Sequence, residues 1–378
     1  AGGVAMSDVD TARLPTVGAP TKGFEAADAL LFSIQDTGEY HAPYLTHLGD
    51  PDPVRVYAET GSIEYLAYDE YGNARSDTLN FTKPVEFLAG RDIRDVSLTA
   101  QHVEAGQTSY IWAGRDIGYK PLRISGNLAN NGSGIQIDGP GYLNVAAGRN
   151  IDLGSTKGIV TNGNLKNPAL PDEGAHITLL TGMGADADGR PRQPDYAAFA
   201  TDYLAAGSTA LADFAASIED FETRRVALLQ PDNAGLSYAD VQKKLEDSSY
   251  RAAMKALAEP EIVAAVAAFN ALPFDVRARR IFYHELEMAG REANQGLGYE
   301  RANKAIAVFF PDEDAGGNKI AYAGGFSGFF SQVRTNQGGD IEMLTPGGTV
   351  SVGLVSNPPD LAAFRKESEL GLFTVKGG

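Results

Sequence analysis

The 378-residue sequence contains no cysteine. Disulfides, which many extracellular proteins use for stability, therefore play no part in this fold. The same absence suits a chain that crosses a membrane unfolded, because no crosslink obstructs its passage. No stretch approaches the run of about 18 or more apolar residues that a membrane-spanning helix requires. Histidine occurs only five times, which makes a zinc site of ordinary spacing unexpected.

Positive charge is also scarce. Lysine and arginine number 32 against 49 aspartates and glutamates, which gives a net charge of −17. Proteins that bind nucleic acid carry a basic face, so we expect no nucleic-acid partner. Phosphate-binding and dinucleotide fingerprints are missing, and we predict no cofactor. The sequence has no initiator methionine or signal-peptide pattern and stops at Gly378 where the repeat would continue. We therefore expect an excised piece of a longer polypeptide.

A short box recurs along the chain. It reads Ala-Gly-Arg-Asp-Ile at residues 89–93 and 113–117 and Ala-Gly-Arg-Asn-Ile at 147–151, and a relative, Gly-Gly-Asp-Ile, occupies 338–341. The first two copies are 24 residues apart, a spacing typical of a coil-by-coil solenoid. In a solenoid each repeat stacks on its neighbours, so recurring residues serve stacking first.

The composition of the box predicts a tight corner. Glycine permits a positive φ, aspartate or asparagine bonds the backbone of its own turn, and the isoleucine stacks on its equivalent in the next coil. The third copy follows the second by 34 residues, which predicts about ten extra loop residues, placed at 130–134. The predicted corner residues are Gly90, Asp92, Gly114, Asp116, Gly148, Asn150, Gly339 and Asp340.

The apolar period divides the chain into three parts. Short alternating runs typical of strands occupy roughly residues 25–190 and resume at 307, whereas the period between 195 and 306 is helical. We predict a mainly β fold, a parallel β-helix (solenoid) with an inserted α-helical module. Its coils cover 1–194 and 307–378, with the first 25–50 residues outside the regular pattern. Two separate solenoid pieces joined by a helical spacer remain an alternative.

Local signals place the helices of this module. One helix is expected to open at Ser208 and to end before Pro231. Ser237 followed by Asp240 predicts a capping pair for the next helix. Pro260 is expected in the first turn of another.

Several motifs of chemistry are incomplete. His284-Glu285 resembles half of a zinc helix, but the second histidine position holds Met288. The segment Asp-Ala-Asp-Gly at 186–189 lacks the further acids of a calcium loop and predicts an acidic hairpin loop instead. The arginines and aspartates of the box recur in matching places, whereas catalysis needs one special constellation. We therefore predict no metal site, no catalytic residues and no enzyme activity.

One basic cluster is the candidate recognition patch. Its function would be to hold a carboxylate, a sulfated sugar or an acidic protein wall. The alternative is internal pairing of the local arginines with Glu285, Glu287 and Glu292. The predicted binding residues are Arg277, Arg280, Tyr283 and His284.

The recurring box resembles the filamentous haemagglutinin-like exoproteins, bacterial surface proteins exported by two-partner secretion. The segments 329–335, 338–341 and 346–354, with the helical residues 282–286 and 299–302, are similar to a domain from the C-terminal region of some of these proteins. The resemblance covers about residues 50–378 and implies a right-handed β-helix that is secreted to the cell surface as an extracellular filament.

The function expected from this resemblance is structural and adhesive: a stalk that attaches to host, matrix or neighbouring cells. The implied partners are an outer-membrane two-partner secretion transporter for the full-length chain and a glycan or protein on the surface that is bound. Self-association is a further expectation. The alternatives are a β-helical polysaccharide-degrading enzyme and a rigid stalk that presents a toxin or haem-binding part.

Overall fold

The structure is a computed structural model. It describes residues 4–6, 49–50, 52–65, 67–68, 74–75, 78–120, 122–124, 127–129, 134–164, 170–353 and 370–375. Most of the N-terminal 50 residues, the predicted extra loop at 130–133 and the C-terminal residues 376–378 lie outside the described part.

Three parallel sheets dominate the fold. Sheet 1 contains β2 (Val54–Ala58), β7 (Val85–Ala89), β10 (Thr108–Ala113), β15 (Tyr142–Ala147), β18 (His176–Leu180) and β21 (Ile341–Leu344). Sheet 2 contains β1 (Val4–Met6), β3 (Ile63–Tyr65), β8 (Ile93–Arg94), β11 (Ile117–Gly118), β16 (Ile151–Asp152), β19 (Phe326–Gly328) and β22 (Val350–Val352). Sheet 3 contains β6 (Leu79–Phe81), β9 (Leu98–Gln101), β14 (Gly134–Asp138), β17 (Gly158–Asn162), β20 (Gln332–Thr335) and β23 (Gly371–Thr374).

The chain visits the sheets in a fixed cycle. From β2 onwards it passes through sheet 1, sheet 2 and sheet 3 in turn, and each strand pairs in parallel with the strand of the same sheet one circuit earlier. This cycle is the topology of a parallel β-helix, so the predicted mainly β solenoid is confirmed at that level. Six coils result from the described strands.

The core consists of ladders of equivalent residues, one from each coil. Ile63, Ile93, Ile117, Ile151 and Phe326 are in register on sheet 2, and each is at most 2% exposed. The predicted stacking of the box isoleucines is thus confirmed for the first three copies. Strands in such a stack are about 4.8 Å apart, so a side chain in one coil rests directly on its equivalents.

Two antiparallel hairpins interrupt the regular coils. β4 (Ala67–Tyr68) pairs with β5 (Ala74–Arg75), and β12 (Leu122–Ile124) pairs with β13 (Asn127–Ala129). Each hairpin lies in sequence between a sheet 2 strand and the following sheet 3 strand. The second hairpin accounts for part of the extra length between the second and third boxes, before the predicted position at 130–134.

Six α-helices follow β18 in the chain. They are α1 (Tyr196–Tyr203), α2 (Thr209–Leu228), α3 (Tyr238–Lys244), α4 (Ser248–Ala271), α5 (Phe274–Asn294) and α6 (Glu300–Phe309). The predicted caps of two helices are confirmed: Ser208 accepts the Leu211 N–H, and Ser237 and Asp240 form a reciprocal capping box.

The expectation for Pro260 is wrong. Pro260 lies inside α4, which begins at Ser248. Proline lacks an N–H and removes one hydrogen bond from a helix interior. The helix nevertheless continues, because Met254 and Ala258 before the proline and Ile262 after it are all buried. Packing on both sides of the proline outweighs the local cost.

The chain divides into two compact units. The first comprises residues 1–193 and 320–378, and the second comprises residues 194–319. The sheets of the first unit continue across the helical segment, because β18 pairs with β21, β16 with β19 and β17 with β20. None of the described helices is long and apolar enough to cross a membrane.

Candidate functional site

The glycines of the box are required by close packing between coils, and the expected positive φ is absent from Gly90, Gly114 and Gly148. A Cβ atom at Gly148 would lie 2.1 Å from the Gly114 carbonyl oxygen, and one at Gly90 would lie 2.0 Å from the Glu59 carbonyl oxygen. No side chain fits at that distance. Glycine is required because successive corners stack so tightly that the backbone of one coil contacts the backbone of the next.

The sequence predicts that the acids of the box bond the backbone of their own turn, but Asp92 and Asp116 bond groups of the neighbouring coil instead. Asp116 accepts the backbone N–H of Asn150 at 3.2 Å, and Asn150 in turn accepts the N–H of Gly325 at 3.1 Å. Asp92, 2% exposed, accepts two bonds from Arg115 of the next box, at 2.9 and 2.6 Å. The recurring Arg-Asp pair is an inter-coil ladder.

The charge of Asp92 is stabilised within this ladder. Burial alone raises the pKa of its carboxyl group, but hydrogen bonds from Arg115 and Arg94 and their positive charges outweigh burial and lower the pKa below its usual value. Asp92 is therefore a structural anion whose oxygens are already occupied.

The fourth copy of the box is not equivalent to the others. Gly339 and Asp340 precede β21 of sheet 1, whereas the first three copies precede strands of sheet 2. Gly339 has a φ of +94°, and the Asp340 N–H donates to His176 Nδ1 at 3.0 Å. The partner of Ile151 in sheet 2 is Phe326, so the corner there contains Gly325 in place of Asn150.

A hairpin covers one of these corners. Ala185 and Pro191 form an antiparallel bridge, and Asp186 Oδ1 accepts the N–H groups of Asp188 and Arg190 at 3.0 and 2.8 Å. This is the acidic hairpin that the sequence predicts at 186–189. The tip of the hairpin packs against the second copy of the box, since a Cβ at Gly114 would lie 2.0 Å from the Gly189 carbonyl oxygen.

The hairpin and the outer face of sheet 1 enclose a cleft of about 640 Å³. This volume falls within the range of about 300–1,000 Å³ that is typical of ligand pockets. We call it the aromatic cleft. Its lining residues are Tyr57, Glu59, Thr60, Leu88, Ala89, Gly90, Trp112, Ala187, Asp188, Arg190 and Pro191.

The floor of the aromatic cleft is one row of outward side chains from three successive coils. Tyr57 is in register with Leu88, and Leu88 with Trp112. The residues between them in each strand point into the core, as the alternating burial of β2, β7 and β10 shows. Two strand spacings separate Tyr57 from Trp112, which places them about 10 Å apart along the coil axis.

Both aromatic rings are held by their polar atoms. Tyr57 donates its hydroxyl proton to Glu86, and this hydrogen bond, with some burial, raises the pKa of the Tyr57 phenol. The Trp112 indole N–H donates to Asn144 Oδ1 at 3.3 Å, and the Trp112 ring meets Tyr110 edge to face at a centroid distance of 5.0 Å. These contacts restrain both rings before any ligand arrives.

Charged groups form the rim. Glu59, Asp188 and Arg190 are exposed, and they surround the apolar floor with two carboxylates and one guanidinium. An arrangement of this kind can hydrogen-bond a polar ligand whose apolar face rests on the rings.

The predicted binding patch lies on α5 of the helical unit. Arg277, Arg280 and Tyr283 are half-buried there, and His284 is only 7% exposed, with its ring edge to face against Phe214 at 5.3 Å. Burial lowers the pKa of His284. A ligand on the surface therefore does not reach His284, because this side of α5 packs against α2.

The expected internal pairing of arginines is partly present. Arg291 pairs with Glu287 at 2.5 Å, but Glu285 and Glu292 bond Arg301 of α6 instead, at 2.5 to 3.2 Å. Arg301 also reaches Asp213 of α2 at 2.7 Å. This cluster joins three helices, and its anions raise the pKa of Arg301.

The aromatic cleft is not predicted from the sequence, although Tyr57 and Trp112 occupy outward positions of predicted strands. Their register, which unites them, follows only from knowing which strands are neighbours. No cluster of three or more potential metal ligands occurs in the described part of the chain. No protein-family model, curated protein or solved structure matches this sequence.

Proposed function

We propose that this chain is a segment of a large secreted bacterial exoprotein, a right-handed β-helix with an α-helical insertion that acts as an adhesive scaffold on the cell surface. The aromatic cleft carries the proposal, because it presents preoriented rings on a stiff wall of stacked coils. The resemblance of the box to the filamentous haemagglutinin-like exoproteins supports the same role and adds the two-partner secretion route.

The alternative enzyme is a β-helical polysaccharide lyase or hydrolase. The cleft lining favours binding over that alternative, since its two carboxylates, Glu59 and Asp188, are both exposed, whereas the general acid of a glycoside hydrolase lies in an apolar environment. Asp92 and Asp116, which the box repeats, are engaged by arginines of the next coil. A stalk that presents a toxin or haem-binding part remains a further candidate, and only the flanking polypeptide would favour it.

The adhesive role is tested with beads coated with the whole chain. We expect saturable attachment to at least one of three surfaces: cultured host cells, purified extracellular matrix or bacterial cells. Free protein should compete with the beads, and beads coated with an unrelated acidic protein of similar charge should not attach. Equal attachment of both bead types would contradict the proposal.

The export route has a separate test. The full-length chain is expressed with and without a two-partner secretion transporter of the outer membrane, and the medium and cell surface are probed for the protein. Release that depends on the transporter is expected. Retention inside the cell in both cases would contradict the secretion route.

A further inference from the structure

We propose that the aromatic cleft binds an uncharged oligosaccharide that lies along the coil axis. This inference rests on the proposed adhesive function, for which it names the ligand class. The floor of the cleft is the first argument. Tyr57 and Trp112 both line the cleft from strand positions about 10 Å apart, with Leu88 between them. The apolar C–H faces of two sugar rings in one chain can stack on such a pair, whereas one small ligand cannot cover both.

The polar atoms of the rings support the same ligand. The Tyr57 hydroxyl and the Trp112 indole N–H are already bonded to Glu86 and Asn144. The rings therefore contribute their faces, and hydrogen bonding to the ligand falls to the rim. Fixed rings lose little conformational entropy on binding, which favours affinity.

The rim selects for an uncharged ligand. Glu59 and Asp188 accept hydrogen bonds from hydroxyl groups, and Arg190 donates them. Two carboxylates against one guanidinium, on a chain of net charge −17, oppose the approach of a sulfated or uronate sugar. The ligand that fits has many hydroxyl groups and no charge.

A peptide fits the cleft less well. A peptide that added a strand to the sheet would need free backbone groups, and β7 is already paired with both β2 and β10. Leu88 is also the only leucine of the lining, which otherwise mixes rings, small residues and charged groups. The geometry favours sugar rings over a protein hot spot of clustered apolar anchors.

The hairpin at 185–191, which lines one side of the cleft, is fastened to the β-helix by backbone hydrogen bonds. The Gly184 N–H donates to the Gly148 carbonyl at 2.7 Å, and the Gly182 N–H donates to the Arg149 carbonyl at 2.8 Å. These bonds fasten the start of the hairpin segment to the third box. Asp188 and Arg190 are therefore held over the floor by the same corners that the repeat creates.

The test is isothermal titration calorimetry of the whole chain with two panels of short oligosaccharides, one uncharged and one sulfated or uronate-containing. At least one uncharged member should bind with one site per chain. Trp112→Ala and Asp188→Asn should each weaken that binding about tenfold or more, and Trp112→Phe should weaken it less. Phe329→Ala, which removes an exposed ring of the same unit outside the cleft, should leave it unchanged.

Three results would overturn the inference: no binding by any uncharged oligosaccharide, binding confined to the charged panel, or equal binding by wild type, Trp112→Ala and Asp188→Asn. Asp188 is exposed on the hairpin, so its variant remains informative if Trp112→Ala fails to fold. Bead attachment without sugar binding would refute the ligand class and leave the adhesive function standing. Sugar binding without bead attachment would refute the adhesive function and leave the ligand class standing.

Discussion

A buried histidine makes the stability of the β-helix depend on pH. His102 follows β9, is fully buried, and has a pKa of about 4 because burial disfavours its charged form. Its Nδ1 lies 2.7 Å from the Pro140 carbonyl oxygen, which only accepts, so Nδ1 carries the proton. Its Nε2 then accepts from the Ser109 hydroxyl at 2.8 Å, and Ser109 accepts the Val85 N–H at 3.1 Å. Neutral histidine satisfies every group of this network.

The magnitude follows from the two pKa values. An unperturbed histidine has a pKa of 6.5, so the unfolded chain binds this proton more readily than the folded protein does. Stability from His102 is complete above pH 6.5 and decreases as the pH falls, until the loss levels off near pH 4. A pKa difference of about 2.5 at about 1.36 kcal/mol per unit gives a loss of about 3 kcal/mol.

Urea unfolding at several pH values between 7 and 4 measures this loss, with the fluorescence of Trp112, the only tryptophan, as the signal. His102→Gln should be less stable at pH 7 but should lack most of the decline between pH 6.5 and 5, where carboxylates titrate little. His176→Gln, a change in a half-buried histidine of sheet 1, should keep that decline. Parallel curves for wild type and His102→Gln would refute the reasoning.

Three further substitutions have expected effects on stability, two of them with a control substitution. Gly114→Ala should lower the free energy of unfolding of the β-helix by about 2 kcal/mol or more, because the added Cβ would lie 2.0 and 2.5 Å from two carbonyl oxygens. Gly118→Ala is the control: a Cβ there has nothing within 4 Å, so the urea midpoint should change little. Arg301→Lys should lower the free energy of unfolding of the helical unit by about 1–3 kcal/mol, measured by circular dichroism. Arg291→Lys, in an exposed pair, should lower it by less than about 1 kcal/mol. Equal effects of the two changes would contradict a stabilising role for the Arg301 cluster. Ser237→Ala should lower the stability of the helical unit by about 1 kcal/mol, and an unchanged thermal midpoint would count against the cap.

The coil architecture could be predicted because it depends on local, repeated signals. The box spacing and the isoleucines at its end identify a solenoid and place Ile93, Ile117 and Ile151 in one ladder. The reason for the glycines could not be predicted, because the distance between stacked corners is a tertiary quantity. The same limit applies to Pro260, whose local preference is overridden by packing along both halves of α4.

The candidate site could be predicted only in its parts. Alternation within the strands places Tyr57 and Trp112 outward, and the acids at 186–189 predict a hairpin. Neither signal says that the hairpin lies over those rings, since that depends on which backbone the tip contacts. The α5 patch shows a related limit: charge and aromatic content along a helix suggest a surface, but they do not reveal that His284 faces Phe214.

The box and the cleft are two consequences of one constraint. A corner that repeats along the axis must be thin, because each carbonyl contacts the next coil; this excludes side chains at Gly90 and Gly114. A thin corner also admits an additional backbone, and the Gly189 carbonyl occupies that space. The repeat thereby creates a surface against which the non-repeating hairpin packs, and that hairpin places Asp188 and Arg190 at the cleft. We therefore expect Gly114→Ala, which widens the corner, to lower both the affinity of the cleft for its ligand and the stability of the β-helix. Gly118→Ala should change neither quantity.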